Sequence, residues 1–153
     1  MKRFDVTAMG ELLIDFTDHG ISEQGNPVFE ANPGGAPCNV LNMLNRLGRK
    51  TAFIGKVGND GFGHMLANTV RKEGICTDGL CFDPVVHTTL ALVLKKENGD
   101  RDFSFYRNPG ADNSLSADEV HTDLIHDSRI FHFGSLSLTD EPVRSATFRC
   151  IEE

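Results

Sequence analysis

Apolar positions recur along this chain with two alternating periods, about two residues and about 3.6, and the switches between them define its elements. Phe4 to Gly10 is a short apolar run closed by glycine and predicts a buried first strand. Leu12 to Phe16 continues as a second extended piece. Residues 18 to 33 are rich in Gly, Asn and Pro and hold one strand candidate around Val28 to Ala31. After Asn32-Pro33-Gly34-Gly35-Ala36-Pro37-Cys38-Asn39, the residues Val40, Leu41, Met43, Leu44 and Leu47 recur at helical spacing until Gly48. Pro37 suits the first turn of that helix, where a missing N–H costs nothing. Thr51 to Val57 reads as a strand, and Phe62, Met65, Leu66, Thr69 and Val70 trace a second helical face that Gly74 closes. Ile75 to Phe82 is again a strand. Thr88 to Lys95 and Arg101 to Arg107 are extended runs with Asn98-Gly99 between them, a hairpin signal. Ser116-Ala117-Asp118-Glu119 has the form of a capping box and predicts a helix to about His126. Arg129 to Ser135 predicts a strand and Thr139 to Glu153 a helix.

Alternation of this kind predicts an α/β fold, a mostly parallel sheet covered by helices. The hairpin and the extended pieces near residues 12 to 31 stand outside the alternation and together predict a small second sheet beside the main layer. The length of 153 residues suits one domain with a real core. There is no internal repeat and no low-complexity tract.

The Gly34-Gly35 pair is the sharpest chemical feature. Two adjacent glycines let a backbone approach a ligand closely, and the helix start behind them offers free N–H donors. Asn39 can both donate and accept, as sugar hydroxyls require. A tight strand-to-helix turn without a ligand would use the same glycines. Asp15 is a carboxylate in an apolar segment, where an unpaired charge is expensive. Accepting hydrogen bonds from two neighbouring hydroxyls would satisfy it, and so would a turn at the surface. Phe103, Phe105 and Arg107 fall on one face of their strand and Ser104 and Tyr106 on the other; sheet packing and ligand contact both fit them. Gly55, Gly58 and Gly61 do not make a dinucleotide fingerprint, and there is no P-loop. His121 and His126 are five apart, off the metal-binding helical spacing, and with His132 read as solvated or core-edge residues.

Charge and cysteine content narrow the field. The formal net charge is −7, and the densest basic cluster is only Arg46, Arg49 and Lys50, which argues against nucleic acid or an anionic membrane as partner. A neutral sugar is compatible, and a nucleotide could enter with its metal ion. Cys38, Cys76, Cys81 and Cys150 form no C-x-x-C pair and read as reduced thiols rather than zinc ligands. No long apolar stretch follows the N-terminal Met-Lys-Arg-Phe-Asp-Val, so a cytoplasmic location without a signal peptide or membrane span is the expectation.

Gly34-Gly35-Ala36-Pro37-Cys38-Asn39, continued through Gly48 to Gly58, resembles the first signature of ribokinase-like (PfkB) carbohydrate kinases. Leu41 departs from it, standing where the family usually has Ala, Ser or Thr. Met9-Gly10-Glu11-Leu12-Leu13-Ile14-Asp15 resembles the family's first strand and substrate-binding aspartate, and Gly55-Lys56-Val57-Gly58-Asn59-Asp60-Gly61-Phe62-Gly63 its G-x-V-G-x-D-x-x-G turn. Phe105-Tyr106-Arg107-Asn108-Pro109-Gly110-Ala111-Asp112 is similar to the fructokinase and 2-keto-3-deoxygluconate kinase branches. The resemblance implies a three-layer Rossmann-like (ribokinase-like) fold with a small β-sheet lid, its strands at approximately 12–31 and 88–107. It implies that residues 1–153 are the N-terminal part of a kinase domain whose C-terminal half is missing. It implies transfer of the ATP γ-phosphoryl to a sugar hydroxymethyl group, most simply of fructose, with Asp15, Gly34, Gly35, Asn39 and Phe105 at the sugar and Arg107 reaching in from the lid. ATP and Mg2+ would bind the other half, which also holds the family's Gly-Ala-Gly-Asp motif and its catalytic base. Pro109-Gly110-Ala111-Asp112 shares letters with that motif but comes far too early, so Asp112 is not expected to be the base. Inactivity of this chain alone and a possible homodimer through the lid are further expectations. A non-catalytic sugar-binding or dimerisation module is the alternative.

Overall fold

The structure, a computed structural model, describes residues 2–95 and 99–153. In chain order its elements are β1 (Phe4–Met9), β2 (Leu13–Ile21), β3 (Pro27–Gly34), α1 (Ala36–Arg46), β4 (Thr51–Gly58), α2 (Gly61–Lys72), β5 (Cys76–Asp83), β6 (Leu90–Lys95), β7 (Arg101–Tyr106), α3 (Asp123–His126), β8 (Ser128–Phe133) and α4 (Val143–Glu152). The strands form two four-stranded sheets, ordered β5-β4-β1-β8 and β3-β2-β6-β7.

In the first sheet every pairing is parallel. Its two central strands, β1 and β4, are largely apolar on both faces because both faces are covered there. On one side Val6, Ala8, Phe53 and Val57 pack with Leu41 of α1 and with Leu66 and Val70 of α2. On the other, Met9 and Ile54 pack with Leu124 of α3 and with Val143, Ala146 and Cys150 of α4. Thr7 is polar and fully buried, and its hydroxyl is paired with the Leu124 carbonyl and the Ser128 hydroxyl. The second sheet is the lid. β2–β3 and β6–β7 are antiparallel pairs, joined by the parallel contact of β2 with β6. Gly99 lies between β6 and β7, while Asn98 of the predicted hairpin turn lies outside the described residues.

Two expectations are corrected. The lid strands near residues 12 to 31 are longer than the apolar pattern suggests, because β2 and β3 pair through Thr17–Glu30 and Asp18–Phe29, where one face is polar. Residues 116–126 are not one helix. The Ser116 amide and hydroxyl donate to Glu119 Oε2, at 2.9 and 3.1 Å, and close a 3₁₀ turn over Ala117–Glu119. The same carboxylate is drawn toward Lys56 Nζ, at 2.8 Å, and the chain leaves the turn extended through Val120 before α3 begins.

Candidate sugar-binding site

β1 has β4 on one side and β8 on the other, so the strand order reverses beside it. In open parallel sheets the crevice beyond the C-terminal ends of the strands at such a reversal is the usual ligand site. The segments that emerge there are Gly10-Glu11 after β1 and Gly134 after β8. The Gly-Gly bend lies over the same crevice.

That bend is fixed by contact rather than by its own preference. Gly35 has φ 118° and ψ 119°, and a Cβ there would stand 2.2 Å from the Glu11 carbonyl oxygen, so only glycine fits. Glu11 is buried, and its Oε1 accepts the Ala36 amide at 3.0 Å, which satisfies a free donor at the start of α1. Gly34 has ordinary φ but no room. A Cβ built on it would stand 2.2 Å from Asp15 Oδ2. The Asp15 carboxylate therefore lies directly against the Gly34 backbone. No donor among the described residues reaches it, and burial pushes its pKa above the usual 3.8.

Strand register carries the site outward from there. Asp15 pairs with Asn32 on one side and Ala91 on the other, and Ala91 pairs with Phe105. These four residues form one row across the inner face of the lid. The next row is Glu30, Thr17, Val93 and Phe103, with Asn32 Nδ2 donating to Thr17 Oγ1 at 2.9 Å. Phe103 and Phe105 stack, with ring centroids 6.1 Å apart, and Phe105 is half exposed. A cavity of about 490 Å³ opens on this face, lined by Asp15, Thr17, Asp18, Glu30, Val93, Arg101 and Phe103. Asn39 lies elsewhere. It lines a separate, small cavity of about 50 Å³ between α1 and α2 that also touches Gly34. Asp15, Gly34 and Gly35 are thus brought together, Phe105 shares the Asp15 row, and Asn39 stands on the far side of Gly34.

Arg107 is committed within the fold. Its Nε and NH2 groups donate to Asp112 Oδ2 at 2.8 and 2.6 Å, while Asp112 Oδ1 pairs with the Thr89 hydroxyl at 2.5 Å. Asp112 is buried and bound through both oxygens, which leaves it no freedom to act as a base. It ties together the chain entering β6 and the chain leaving β7. Two further carboxylates hold the first of these crossings. Asp60 accepts the Gly63 amide at the start of α2, and also the Thr88 amide and hydroxyl, all at 2.8 Å. Burial alone would raise its pKa, but these donors outweigh burial and hold it below the usual value. Asp83 accepts the Val85 and Val86 amides and pairs with Lys56 Nζ at 3.0 Å, and its pKa is lowered in the same way.

Glu11, Asp60, Asp83 and Asp112 escape a reading of the sequence as functional groups. Asp60 sits in an evident turn, but its partner Thr88 is 28 residues away. Glu11 carries the one available signal, a carboxylate between a strand's closing glycine and an apolar run. Among the described residues no group of three or more His, Cys, Asp or Glu is placed to hold a metal ion. The four cysteines are free thiols, and among the described residues no helix is long and apolar enough to cross a membrane.

The pfkB family carbohydrate kinase profile matches residues 4–153. A fructokinase from Solanum tuberosum is 48% identical over 149 residues, covering 96% of this chain and 47% of the relative. The crystal structure of fructokinase from Xylella fastidiosa superposes with a TM-score of 0.89 at 34% identity, over 97% of this chain and 47% of that one. The same enzyme with bound ATP gives a TM-score of 0.86, again at 34% identity, over 97% of this chain and 45% of that one. The chain therefore spans about half the length of the relatives it matches. With the sugar-kinase motifs, the parallel sheet and the separate lid all in place, the chain belongs to the pfkB family of carbohydrate kinases.

Proposed function

We propose that this chain is the sugar-binding half of an ATP-dependent fructokinase, the γ-phosphoryl passing to a hydroxymethyl oxygen of the sugar. The observation that carries the reading is Asp15, a carboxylate held against the Gly34 backbone with no hydrogen-bond donor among the described residues. Two vicinal hydroxyls would supply the donors that the fold withholds, and charge-assisted hydrogen bonds of this kind are strong. Gly34 and Gly35 let the sugar lie against backbone, Phe105 offers an apolar face across the same row, and Asn39 bounds the bend from the α1 side. Arg107 acts through Asp112, fixing the height of the lid. Fructose is the first choice because fructokinases align along nearly the whole chain. We assign ATP and Mg2+ to the part of the enzyme that this chain does not span; the Xylella fastidiosa fructokinase, of which the chain matches 45%, binds ATP.

The test is calorimetric titration of fructose into the chain and into its Asp15→Asn variant. Binding to the parent, weakened at least tenfold by the variant, is expected. Equal heats from both would remove Asp15 from the site and with it this reading. The chain by itself should give no ATP-dependent phosphorylation of fructose; measurable turnover would show that it carries its own base.

A second reading, a lid-pairing or sugar-binding module without catalysis, has one observation in its favour. The outer face of the lid carries an apolar cavity of about 290 Å³ lined by Phe16, Phe29, Leu90, Leu92 and Tyr106. A homodimer formed lid to lid would cover it.

A further inference from the structure

Along the sequence the densest basic cluster is only Arg46, Arg49 and Lys50. Folding enlarges it. Arg3, ahead of β1, and Arg71, in the last turn of α2, come round to Arg49 and Lys50, and these four cations line one cavity of about 410 Å³. The cavity opens at the N-terminal ends of β1, β4 and β5, with Phe4, Thr51 and Cys76 in its wall. The Gly34-Gly35 bend stands at the opposite end of β1, and the two places share no lining residue. Asn45, Gly74 and Ile75 complete the wall, and no carboxylate belongs to it. The chain has 15 Lys and Arg residues and a net charge of −7, so composition alone does not supply such a concentration of one sign. A concave wall of one sign focuses the field and draws counter-ions in.

Three carboxylates touch this neighbourhood, and each is engaged. Asp78 Oδ2 is 3.2 Å from Arg3 NH2, Glu73 pairs with Arg46 at 3.5 Å, and Asp5 accepts the Lys50 amide and pairs with Arg129 at 3.7 Å. Cations near a helix C-terminus offset its partial negative charge, which is the plainer use for Arg46 and Arg71. It does not explain Arg3, Arg49 and Lys50, which belong to no helix. Moreover, the last carbonyls of both helices are already bonded by the chain that follows. The Asn45 and Leu44 carbonyls accept the Gly48 and Arg49 amides, and the Arg71 and Val70 carbonyls accept the Gly74 and Ile75 amides. Two of the guanidinium groups are also held in position. Arg3 lies over the Phe4 ring, 4.7 Å from its centroid, and Arg71 NH1 donates to Asn68 Oδ1 at 3.2 Å. The wall between them is fixed by Asn45, whose Nδ2 donates to the Glu73 carbonyl and whose Oδ1 accepts from the Thr51 hydroxyl, both at 2.9 Å.

Guanidinium forks match phosphate oxygens in pairs, and an ammonium adds a compact point charge. Four cations call for more than one phosphate group, while the volume admits a small molecule and the surrounding acidic chain repels a long polyanion. We propose that this cavity binds a small anion bearing two phosphate groups, inorganic pyrophosphate or a sugar bisphosphate, at a site remote from the sugar. The inference goes beyond the fructokinase reading and does not depend on it.

The experiment is calorimetric titration of the chain at low ionic strength with phosphate, pyrophosphate, fructose 1,6-bisphosphate and citrate in turn. One-to-one binding of pyrophosphate or of the bisphosphate is expected, at least tenfold tighter than that of phosphate or citrate, and the tighter of the two names the source. Added salt should weaken it. Arg49→Gln with Lys50→Gln should weaken it at least tenfold, and so should Arg3→Gln; all three side chains are exposed, and melting temperatures should stay at the parent value. Arg144→Gln with Arg149→Gln, which removes the same charge from exposed positions of α4, should leave binding unchanged. In the unmutated chain the amide resonances of Asn45, Thr51 and Gly74 should move on addition of pyrophosphate, while those of Asp15 and Gly34 stay. No binding, citrate as tight as pyrophosphate, several ions per chain, or equal weakening by the α4 changes would overturn the site. So would displacement of the anion by fructose, which would put it in the sugar crevice. Loss of fructose binding with anion binding intact would count against the sugar reading alone.

Discussion

At the scale of single residues, the site opposes the stability of the fold. Asp15 is partly buried and has no donor, and its folded pKa lies above that of an unfolded aspartate. A carboxylate shifted this way destabilises the fold when ionised, and stability is regained as pH falls through the raised value. Asp15→Asn should therefore raise the melting temperature at pH 7 and lose that pH dependence while it abolishes sugar binding; a lower melting temperature would mean that the carboxylate has a protein partner after all. The two glycines should behave differently. In Gly34→Ala the new methyl meets the Asp15 carboxyl group and, at 3.1 Å, Leu13 Cδ1, both of them side-chain ends that can move aside, so the fold should survive and the proposed sugar binding should be lost. In Gly35→Ala the methyl meets the Glu11 backbone, and the unfavourable φ alone costs about 1–3 kcal/mol. Urea melts of the two variants should rank Gly35→Ala as clearly the less stable, and the reverse order would contradict the geometry of the bend. The bend was legible because a glycine doublet before Pro37 marks a tight strand-to-helix turn locally, whether or not a ligand fills it. The role of Glu11 was not, since it depends on the fold bringing the Ala36 amide back over it from 25 residues downstream.

At the scale of elements, order was legible and length less so. Apolar periodicity located each strand of the parallel sheet, whose faces are both buried. It underestimated β2 and β3, where pairing continues through polar residues, while the capping-box pattern at Ser116 ran α3 together with the turn before it because a local motif cannot see Lys56 pulling Glu119 aside. Lys56 is 6% exposed and joins β4 to Asp83, Glu119 and the Ser114 carbonyl. Removing one partner of a buried ion pair costs about 3–5 kcal/mol. Lys56→Met should thus destabilise the chain by about 3 kcal/mol in denaturant melts, and a change within error would show the cluster to be solvated. Acid should loosen the lid crossings. Asp60 and Asp83 have folded pKa values below the unfolded 3.8, so their contribution is complete above that value and lost as pH falls through the folded ones. Hydrogen exchange in β6 should accelerate below about pH 4, before exchange in β1 and β4 does. Asp60→Asn should bring the acceleration to neutral pH; simultaneous opening of both sheets would mean that the lid is not a separate unit.

At the scale of the whole molecule, the two sheets leave different surfaces bare, and the difference predicts how the chain associates. The inner face of the lid carries Asp15, Thr17, Glu30 and Asn32 beside the half-exposed, stacked pair Phe103 and Phe105, a mixed surface suited to a polyol. Its outer face carries Phe29, Leu94 and Tyr106, at 37, 40 and 66% exposure, around the cavity floored by Phe16, Leu90 and Leu92. Alternation along the strands sends Asp15 and Phe105 to one face and Phe16 and Tyr106 to the other, where Phe16 packs edge-on against Phe62 of α2 with ring centroids 5.6 Å apart and Tyr106 is left exposed. An exposed apolar patch of this kind marks a contact surface. The lid should therefore pair with a second lid, outer face to outer face, leaving both inner faces open to ligand. Sedimentation equilibrium should show a dimer whose dissociation constant rises at least tenfold in Tyr106→Asp and in Phe29→Glu, with fructose binding retained in both. Ile130→Lys, on the other sheet, should leave this equilibrium unchanged. A monomer at all concentrations, or a dimer broken by Ile130→Lys and not by Tyr106→Asp, would move the contact from the lid to the open edge of the parallel sheet.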